Sequence, residues 1–216
     1  MTNPDSHTLK HLAIVAVAAL LAVAAVPAHA QLSNGGFETP VGVYTLVSAP
    51  GSLGAWNVTA GDVEVFNPTT YALGPAPEGN QIIDMLYTNT PGVMSQSIVT
   101  LPSQQYTLNF MLGNSTASNR SGTGSISIAV DIGLPTVFNT PIGLSASAIT
   151  WAAYSLPFTA TSALTSLSVA GGPLDGNFHF AFIDAMQVTA VPEAGTWSML
   201  LAGLAVVGFM ARRRSA

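Results

Sequence analysis

The sequence contains no cysteine and very little charge. Cys is absent from all 216 residues, and Asp, Glu, Lys and Arg together make up only 7% of the chain. The absence of Cys excludes a disulfide scaffold and a cysteine nucleophile. Between residues 31 and 190 a single cation, Arg120, stands against eight acidic residues, a formal balance of −7. Because a phosphate backbone is held by several Lys or Arg contacts, this stretch is not expected to bind nucleic acid.

The N-terminal end has the features of a secretory signal. An uninterrupted apolar run at residues 12–26 is followed by Ala28 and Ala30, small residues at the two positions that a signal peptidase inspects. We therefore predict a signal peptide over residues 1–30, cleaved between Ala30 and Gln31. The alternative is an uncleaved membrane anchor, but the run is shorter than the roughly 20 residues that span a bilayer.

The C-terminal end is built from three successive parts. A short motif at residues 191–196 precedes an apolar stretch at residues 197–211, and an arginine cluster follows. From residue 194 onward this stretch would be about 27 Å long as a helix, which is close to the thickness of a thin hydrocarbon core. Arginines immediately after such a transmembrane helix hold that end in the cytoplasm, so the preceding domain is expected outside. The membrane-stop residues are Arg212, Arg213 and Arg214.

This tail resembles the PEP-CTERM sorting signal of Gram-negative bacteria, which joins a Val-Pro-Glu-Pro motif, a short apolar helix and an arginine cluster. The motif here is Val191-Pro192-Glu193, with Ala194 where the family usually has proline. The resemblance implies recognition by a membrane exosortase and cleavage near Pro192 and Glu193. It also implies a transient stay in the inner membrane, followed by release to the cell surface or the extracellular matrix. The alternative is a plain C-terminal anchor.

The stretch between the two ends, residues 31–190, is rich in Ser, Thr, Gly, Asn and Pro. Apolar and polar residues alternate in parts of it with the two-residue period of β-strands. About nine or ten short strands with turn residues between them predict an all-β domain that folds as a two-sheet sandwich. Two runs show the alternation best. Their apolar members are Ile126, Ile128, Val130 and Ile132 in one run, and Tyr106, Leu108, Phe110 and Leu112 in the other.

Several short motifs of this domain together resemble the choice-of-anchor C-type surface domains. Those domains share a galactose-binding-like jelly roll with many carbohydrate-binding modules, so the resemblance implies a jelly-roll sandwich over residues 31–190. The closing motif Ile183-Asp184-Ala185 has Ala where relatives commonly have Asn. The motifs, in chain order, are residues 34–38, 61–65, 77–79 with Asp84, Gln96, 106–110, 158–160, 164–167 and 182–185.

The same resemblance implies a structural Ca²⁺ ion that ties the first strand region to the last. The residues that match the calcium-binding carboxylates of those domains are Glu38 and Asp184, and the Gly36 carbonyl is the candidate third ligand. Ca²⁺ takes six to eight oxygen ligands, and a secreted domain meets abundant calcium. The alternative is that both carboxylates hydrogen-bond loop amides without a metal ion.

Aromatic side chains beside turn residues are the candidates for sugar contact. Trp56 and Tyr71 are the two that we select as ligand-binding residues, because each lies next to turn-forming residues. An aromatic side chain in a sandwich is nevertheless more often part of the core, where its large apolar surface stabilises the fold.

Catalytic motifs are absent from the sequence. There is no Gly-x-Ser-x-Gly elbow, no phosphate-binding glycine motif and no His-Glu-x-x-His. Asp62 and Glu64 lie two residues apart and would share one face of a strand. Such a pair could serve glycoside hydrolysis, but a solvated face or a calcium contact is favoured. We therefore do not expect an enzyme.

These observations predict a secreted, exosortase-sorted surface or extracellular-matrix protein of a Gram-negative bacterium. Its β-sandwich is expected to bind exopolysaccharide or other matrix components. The first alternative is a purely structural surface protein without a ligand pocket, and the second is a glycan-active enzyme.

Overall fold

The computed structural model describes residues 30–42, 44–86, 90–120, 122–172, 179–192 and 194–214. The predicted signal peptide up to residue 29, and Glu193 of the sorting motif, lie outside the described residues. The described part holds twelve strands, two 3-10 turns (Pro68–Tyr71 and Ala117–Asn119) and one helix, α1 (Ala194–Arg214). The strands are β1 (Tyr44–Ser48), β2 (Gly51–Leu53), β3 (Trp56–Ala60), β4 (Asp62–Phe66), β5 (Ile82–Asp84), β6 (Val93–Val99), β7 (Gln105–Asn114), β8 (Ser125–Val130), β9 (Thr136–Asn139), β10 (Thr150–Thr159), β11 (Leu164–Gly171) and β12 (Phe182–Ala190).

The strands form two six-stranded sheets in which every strand pair is antiparallel. Sheet A has the order β1-β4-β5-β12-β7-β10, and sheet B has the order β2-β3-β6-β11-β8-β9. The predicted all-β, two-sheet sandwich is confirmed, and its architecture is consistent with a jelly roll.

The main core lies between the two sheets. Tyr106, Leu108, Phe110 and Leu112 of β7 are each at most 2% exposed, as their alternation predicts. Successive side chains of a strand point to opposite faces, so every second residue of β7 enters the core. From sheet B the core receives, among others, Trp56, Met94, Ile98, Ile126, Ile128, Leu167 and Val169.

The prediction that the alternating strand continues to Ile132 is wrong, because the strand ends earlier. Strand β8 ends at Val130, and Asp131 has a φ of 51°. A side-chain oxygen of Asp131 accepts a 2.8 Å hydrogen bond from the backbone N–H of Ser166. This left-handed turn carries Ile132 out of the sheet, where its side chain is fully exposed.

Three strands have no clear sequence pattern. Strand β1 buries neither face fully, β2 has only three residues, and β9 is an exposed edge strand of four residues. Alternation is visible only when one face of a strand is buried and the other is solvated, so such strands leave little trace in the sequence.

The outer face of sheet A carries a second, smaller apolar cluster, which comprises Phe66, Leu73, Ile82, Ile149, Phe180 and Phe182. Phe182 of β12 lies opposite Asp84 of β5, and Glu64 of β4 lies opposite the same Asp84. The outer face of sheet A is therefore partly covered by loops and contains two carboxyl groups among aromatic rings.

Helix α1 contains the apolar stretch predicted at residues 197–211. Within the described residues no helix meets the length and apolarity that a membrane span requires. The predicted transmembrane character of this stretch is therefore not confirmed.

Candidate functional site

The N-terminal segment of the domain is fastened to the sandwich by two buried amide side chains. Gln96 of β6 accepts a 2.8 Å hydrogen bond from the Ser33 N–H and donates one of 2.9 Å to the Ser33 carbonyl. Gln81 donates from Nε2 to the carbonyls of Phe37 and Pro40, at 2.7 and 2.9 Å. These bonds hold the segment at residues 30–40 against β6 and the start of β5, and the Met186 N–H of β12 donates a 3.0 Å hydrogen bond to the Gly35 carbonyl.

Glu38 joins this segment to the loop that precedes β5. Its Oε1 accepts hydrogen bonds from the backbone N–H groups of Asn80 and Gln81, both at 2.8 Å. Gly79 makes this approach feasible, because it has a φ of 60° and a Cβ there would lie 2.4 Å from the same oxygen. A side chain at position 79 would therefore suffer both a left-handed backbone and a clash.

Asp184 stands at a β-bulge in β12, where the register against β7 shifts between Asp184 and Gln187. Its Oδ2 accepts a 3.0 Å hydrogen bond from the Glu78 N–H, and its Oδ1 accepts one of 2.7 Å from the Ala185 N–H. Ala185 has a φ of 52°, the left-handed conformation that the bulge requires. Burial, together with the nearby carboxylates of Glu78 and Glu38, raises the pKa of Asp184 to about 7.

Glu38 and Glu78 line one cavity of about 890 Å³, and Asp184 lies two residues before Met186, which is also in its wall. Gly36 lies in its wall, and a Cβ at that position would come within 2.8 Å of the Glu78 carboxyl carbon. The cavity is lined by residues 30–32, 34–36, Glu38, Glu78 and residues 186–188. Three acidic side chains from three separate segments are thus gathered where the first part of the domain meets its closing strand.

The predicted Ca²⁺ ligands are therefore neighbours, and the loop-amide hydrogen bonds of the alternative interpretation are present as well. Among the described residues no three or more His, Cys, Asp or Glu side chains are placed closely enough to hold a metal ion as they stand. The chemistry of the set still suits Ca²⁺, because carboxylate and carbonyl oxygens are its ligands, and burial together with the Glu78 and Glu38 carboxylates raises the pKa of Asp184. Glu38, Glu78 and Asp184, completed by the Gly36 carbonyl and water, are the oxygens that would hold it.

The two aromatic residues selected as sugar ligands have different environments. Trp56 has no exposed surface, and its indole N–H donates a 3.1 Å hydrogen bond to the Asn34 carbonyl. This residue is a core anchor, so its selection as a sugar ligand is corrected: no ring face is available for stacking. Tyr71 is 50% exposed and remains a candidate for contact with a sugar.

The predicted processing residues lie at the start and at the end of the sandwich domain in the chain. Ala30 is buried in the main core while Gln31 is exposed at the cavity. Val191 and Pro192 are exposed immediately after β12, and Arg212 and Arg213 are exposed at the end of α1. Arg214 is the last residue of the helix.

The sequence analysis named Asp84 only as part of a family motif and did not predict its buried environment. Asp84 is fully buried opposite Glu64, and Arg120 places Nη1 3.8 Å from its Oδ2. Arg120 also donates to the His179 carbonyl at 3.1 Å and lies 3.9 Å from the centre of the Phe180 ring. The sequence paired Glu64 with Asp62, because only the strand register shows that Asp84 is its cross-strand neighbour.

Burial and the adjacent Asp84 carboxylate raise the pKa of Glu64 to about 8, although Arg120 acts against this shift. Burial likewise raises the pKa of Asp84 to about 6, against the lowering effect of the Leu86 and Ala181 N–H groups and of Arg120. Burial therefore favours the protonated form of both carboxyl groups, and the Arg120 guanidinium opposes this at both.

Two family models match the chain. One, described as a protein of unknown function (DUF642), matches residues 30–188, and the other, the PEP-CTERM protein-sorting motif, matches residues 190–214. A comparison with curated proteins found no match.

Solved structures share the fold at low identity. The Stig cyclase Fisc from Fischerella sp. TAU, in complex with an indole compound, is 17% identical with a TM-score of 0.53, covering 76% of this chain and 98% of its own. A second cyclase from Fischerella sp. TAU, bound to 4-(1H-indol-3-yl)butan-2-one, is also 17% identical. Its TM-score is 0.52, and the match covers 76% of this chain and 98% of the cyclase. TmCBM61 with β-1,4-galactotriose is 12% identical with a TM-score of 0.45, covering 76% of this chain and all of its own. At these identities the cyclase likeness concerns the fold alone.

Proposed function

The chain belongs to the DUF642 family and carries a PEP-CTERM sorting motif, and we propose from this that it is a secreted protein of the bacterial surface or extracellular matrix. An exosortase would process the tail in the inner membrane, and the released sandwich would bind exopolysaccharide or other matrix components. The proposed role is binding rather than catalysis.

The position of the sorting motif is the observation that carries this proposal. The match begins at residue 190, the last residue of β12, so the motif follows the sandwich without a linker. The Val191 N–H still donates a 2.9 Å hydrogen bond to the Gln105 carbonyl, whereas Pro192 has no part in either sheet. A cut near Pro192 would therefore release all twelve strands intact.

The apolar side chains described in helix α1 are exposed around the helix, which supports the proposed transient stay in the inner membrane. Among them, each more than half exposed, are Leu200, Leu201, Leu204, Val206, Val207, Phe209 and Met210. In the proposed topology the arginines that end the helix remain on the cytoplasmic side.

Calcium forms the second part of the proposal. A Ca²⁺ ion held by Glu38, Glu78 and Asp184 would offset two of the three negative charges of these carboxylates and tie the N-terminal segment to β12. The alternative is a purely structural surface protein whose loops are held by the hydrogen bonds of Glu38 and Asp184 alone.

Fractionation of cells with and without the exosortase tests the sorting proposal. In cells with the enzyme we expect the chain in the matrix or medium, with an intact mass that lacks residues 1–30 and the segment after the sorting motif. In cells without it, the chain should remain in the inner-membrane fraction with its tail. An identical mass and location in both strains would contradict the proposal.

A further inference from the structure

The outer face of sheet A exposes two tyrosines on either side of a buried phenylalanine. Tyr44 of β1 is the cross-strand partner of Phe66 in β4, and Tyr71 contacts the Phe66 ring edge-on with 5.4 Å between ring centres. Tyr44 is 42% and Tyr71 is 50% exposed, whereas Phe66 is only 4% exposed. Leu46, which is 41% exposed, continues this surface along β1 and lies opposite Glu64.

We propose that this surface, Tyr44, Leu46, Glu64, Phe66 and Tyr71, is the polysaccharide-binding platform of the protein and that it takes neutral pyranose sugars. We call it the tyrosine platform. The inference rests on the proposed function, since it names the site and the ligand class through which the sandwich binds exopolysaccharide.

The turn that presents Tyr71 is rigid before any ligand arrives. The Asn67 side chain caps the 3-10 turn by accepting a 2.9 Å hydrogen bond from the Thr69 N–H. The Leu73 N–H closes the turn with a 2.9 Å hydrogen bond to the Pro68 carbonyl. Because the ring is already fixed, binding would order few additional groups, and the entropic cost of association stays small.

The layer beneath the platform is also well packed. Phe66 contacts Phe182 at 5.7 Å between ring centres, and Phe182 stacks on Phe180 at 4.6 Å. Edge-to-face and offset-stacked rings at these distances stabilise one another. Tyr71 therefore rests on a continuous aromatic layer, and Tyr44 is the cross-strand partner of one member of that layer, Phe66.

The chemistry of the platform matches that of a sugar ring. A pyranose has an apolar face of C–H groups and a rim of hydroxyls, and a tyrosine combines an apolar ring with a polar tip in the same way. The Glu64 carboxyl lies at the edge of the platform and is 7% exposed. As a carboxylic acid it can donate one hydrogen bond and accept others, which suits hydroxyl groups.

The scarcity of cationic side chains in the domain favours neutral sugars as the ligand class. Arg120 is the only Lys or Arg between residues 31 and 190, and its guanidinium is held by Asp84, the His179 carbonyl and the Phe180 ring. No cation is therefore available at the platform for a uronate or sulfate group, and the formal balance of −7 repels acidic polymers.

Equilibrium binding of the full chain, kept in mild detergent, to β-1,4-galactan, dextran and polygalacturonate tests this proposal. We expect saturable binding to a neutral polymer and weaker binding to polygalacturonate. Tyr71→Ala and Tyr44→Ala should each lower the association constant about tenfold, which corresponds to about 1.4 kcal/mol. Tyr71→Phe should retain the affinity because it keeps the ring. The matched control is Leu134→Ala, which removes another exposed side chain from the connection between β8 and β9 of the other sheet.

Three outcomes would overturn the proposal that the tyrosine platform binds neutral polysaccharide. In the first, a neutral polymer binds but neither tyrosine variant weakens it, and polysaccharide binding then belongs to another surface. In the second, polygalacturonate binds more tightly than both neutral polymers. In the third, no polysaccharide binds while sedimentation shows a dimer that Tyr71→Ala dissociates, and the occupant is then a second copy of the chain. The sorting result in exosortase-deficient cells is independent of all three.

Discussion

The backbone N–H of Glu78 donates a 3.0 Å hydrogen bond to Oδ2 of Asp184, which lies 106 residues later in the chain. This contact joins the loop before β5 to the bulge of β12. With Glu38, which accepts from Asn80 and Gln81, it brings three acidic side chains together, and Glu38 and Glu78 line the adjacent cavity. Their mutual repulsion is part of what raises the pKa of Asp184 to about 7, and a cation would relieve that repulsion.

Calcium should stabilise the chain through this cavity. At a Ca²⁺ concentration about 100 times its dissociation constant, mass action adds about 2.7 kcal/mol to the free energy of unfolding. Glu38→Gln should abolish most of this gain, because the amide oxygen can still accept both N–H groups but carries no charge. Thermal unfolding with Ca²⁺ and with a chelator measures the effect, and Asp131→Asn is the control. Equal melting temperatures of the unaltered chain in both solutions would refute the calcium site.

Stability should fall as pH rises from about 4 to about 8. The folded-state pKa values of Glu64 and Asp84 are raised to about 8 and about 6, so the folded chain holds protons that the unfolded chain releases near pH 4. That stability is fully present below the unfolded pKa values and is lost as pH passes the folded ones. Asp184 contributes in the same direction.

The Glu64→Gln variant isolates one of these groups. It should unfold at nearly the same denaturant concentration as the unaltered chain at pH 5, where Glu64 is protonated. At pH 8 it should be more stable by a few kcal/mol, since each unit of pKa shift corresponds to about 1.4 kcal/mol. Chemical denaturation at both pH values measures this. An equal effect of the substitution at pH 5 and pH 8 would argue against a raised pKa of Glu64.

Ala185→Asn should stabilise the sandwich by about 0.5–1 kcal/mol. Ala185 has a φ of 52°, and Asn tolerates the left-handed region better than other non-glycine residues. Ala153→Asn on the exposed edge of β10 is the matched control, because that position has no left-handed backbone and should gain nothing. The free energy of unfolding from denaturant titration gives the comparison. A loss of stability in Ala185→Asn would contradict the bulge geometry.

Gly79→Ala should cost more stability than Gly74→Ala. Both glycines have positive φ, at 60° and 86°, so both substitutions strain the backbone by about 1 kcal/mol or more. Only at position 79 would the new Cβ also meet a neighbour, the Glu38 Oε1 at 2.4 Å, whereas nothing lies within 4 Å at position 74. We expect an additional loss of about 1–3 kcal/mol for Gly79→Ala. Equal losses in both variants would mean that the Glu38 contact contributes little.

The sequence was most informative where one strand face is buried and the other is not. The alternation of Tyr106, Leu108 and Phe110 predicted β7 correctly. The family resemblance implied that Glu38 and Asp184 lie near each other, and both accept hydrogen bonds from the loop before β5. The left-handed Ala185 was visible only as a departure from the Asn of relatives.

Other features depend on strand register and packing, which no local pattern encodes. Trp56 borders turn residues in the sequence, yet the antiparallel pairing of β3 with β6 turns its ring into the core. The Glu64–Asp84 pair and its Arg120 arise from three distant segments. The exposure of Tyr44 could not be predicted, because β1 itself has no clear alternation.

Titration of the full chain with exopolysaccharide purified from its own cells tests the central claim most directly. We predict saturable binding that Tyr71→Ala weakens about tenfold and that Glu38→Gln leaves unchanged at saturating Ca²⁺, because the platform and the cavity are separate sites. Absence of binding by a chain whose circular dichroism shows a folded β-sandwich would contradict the account.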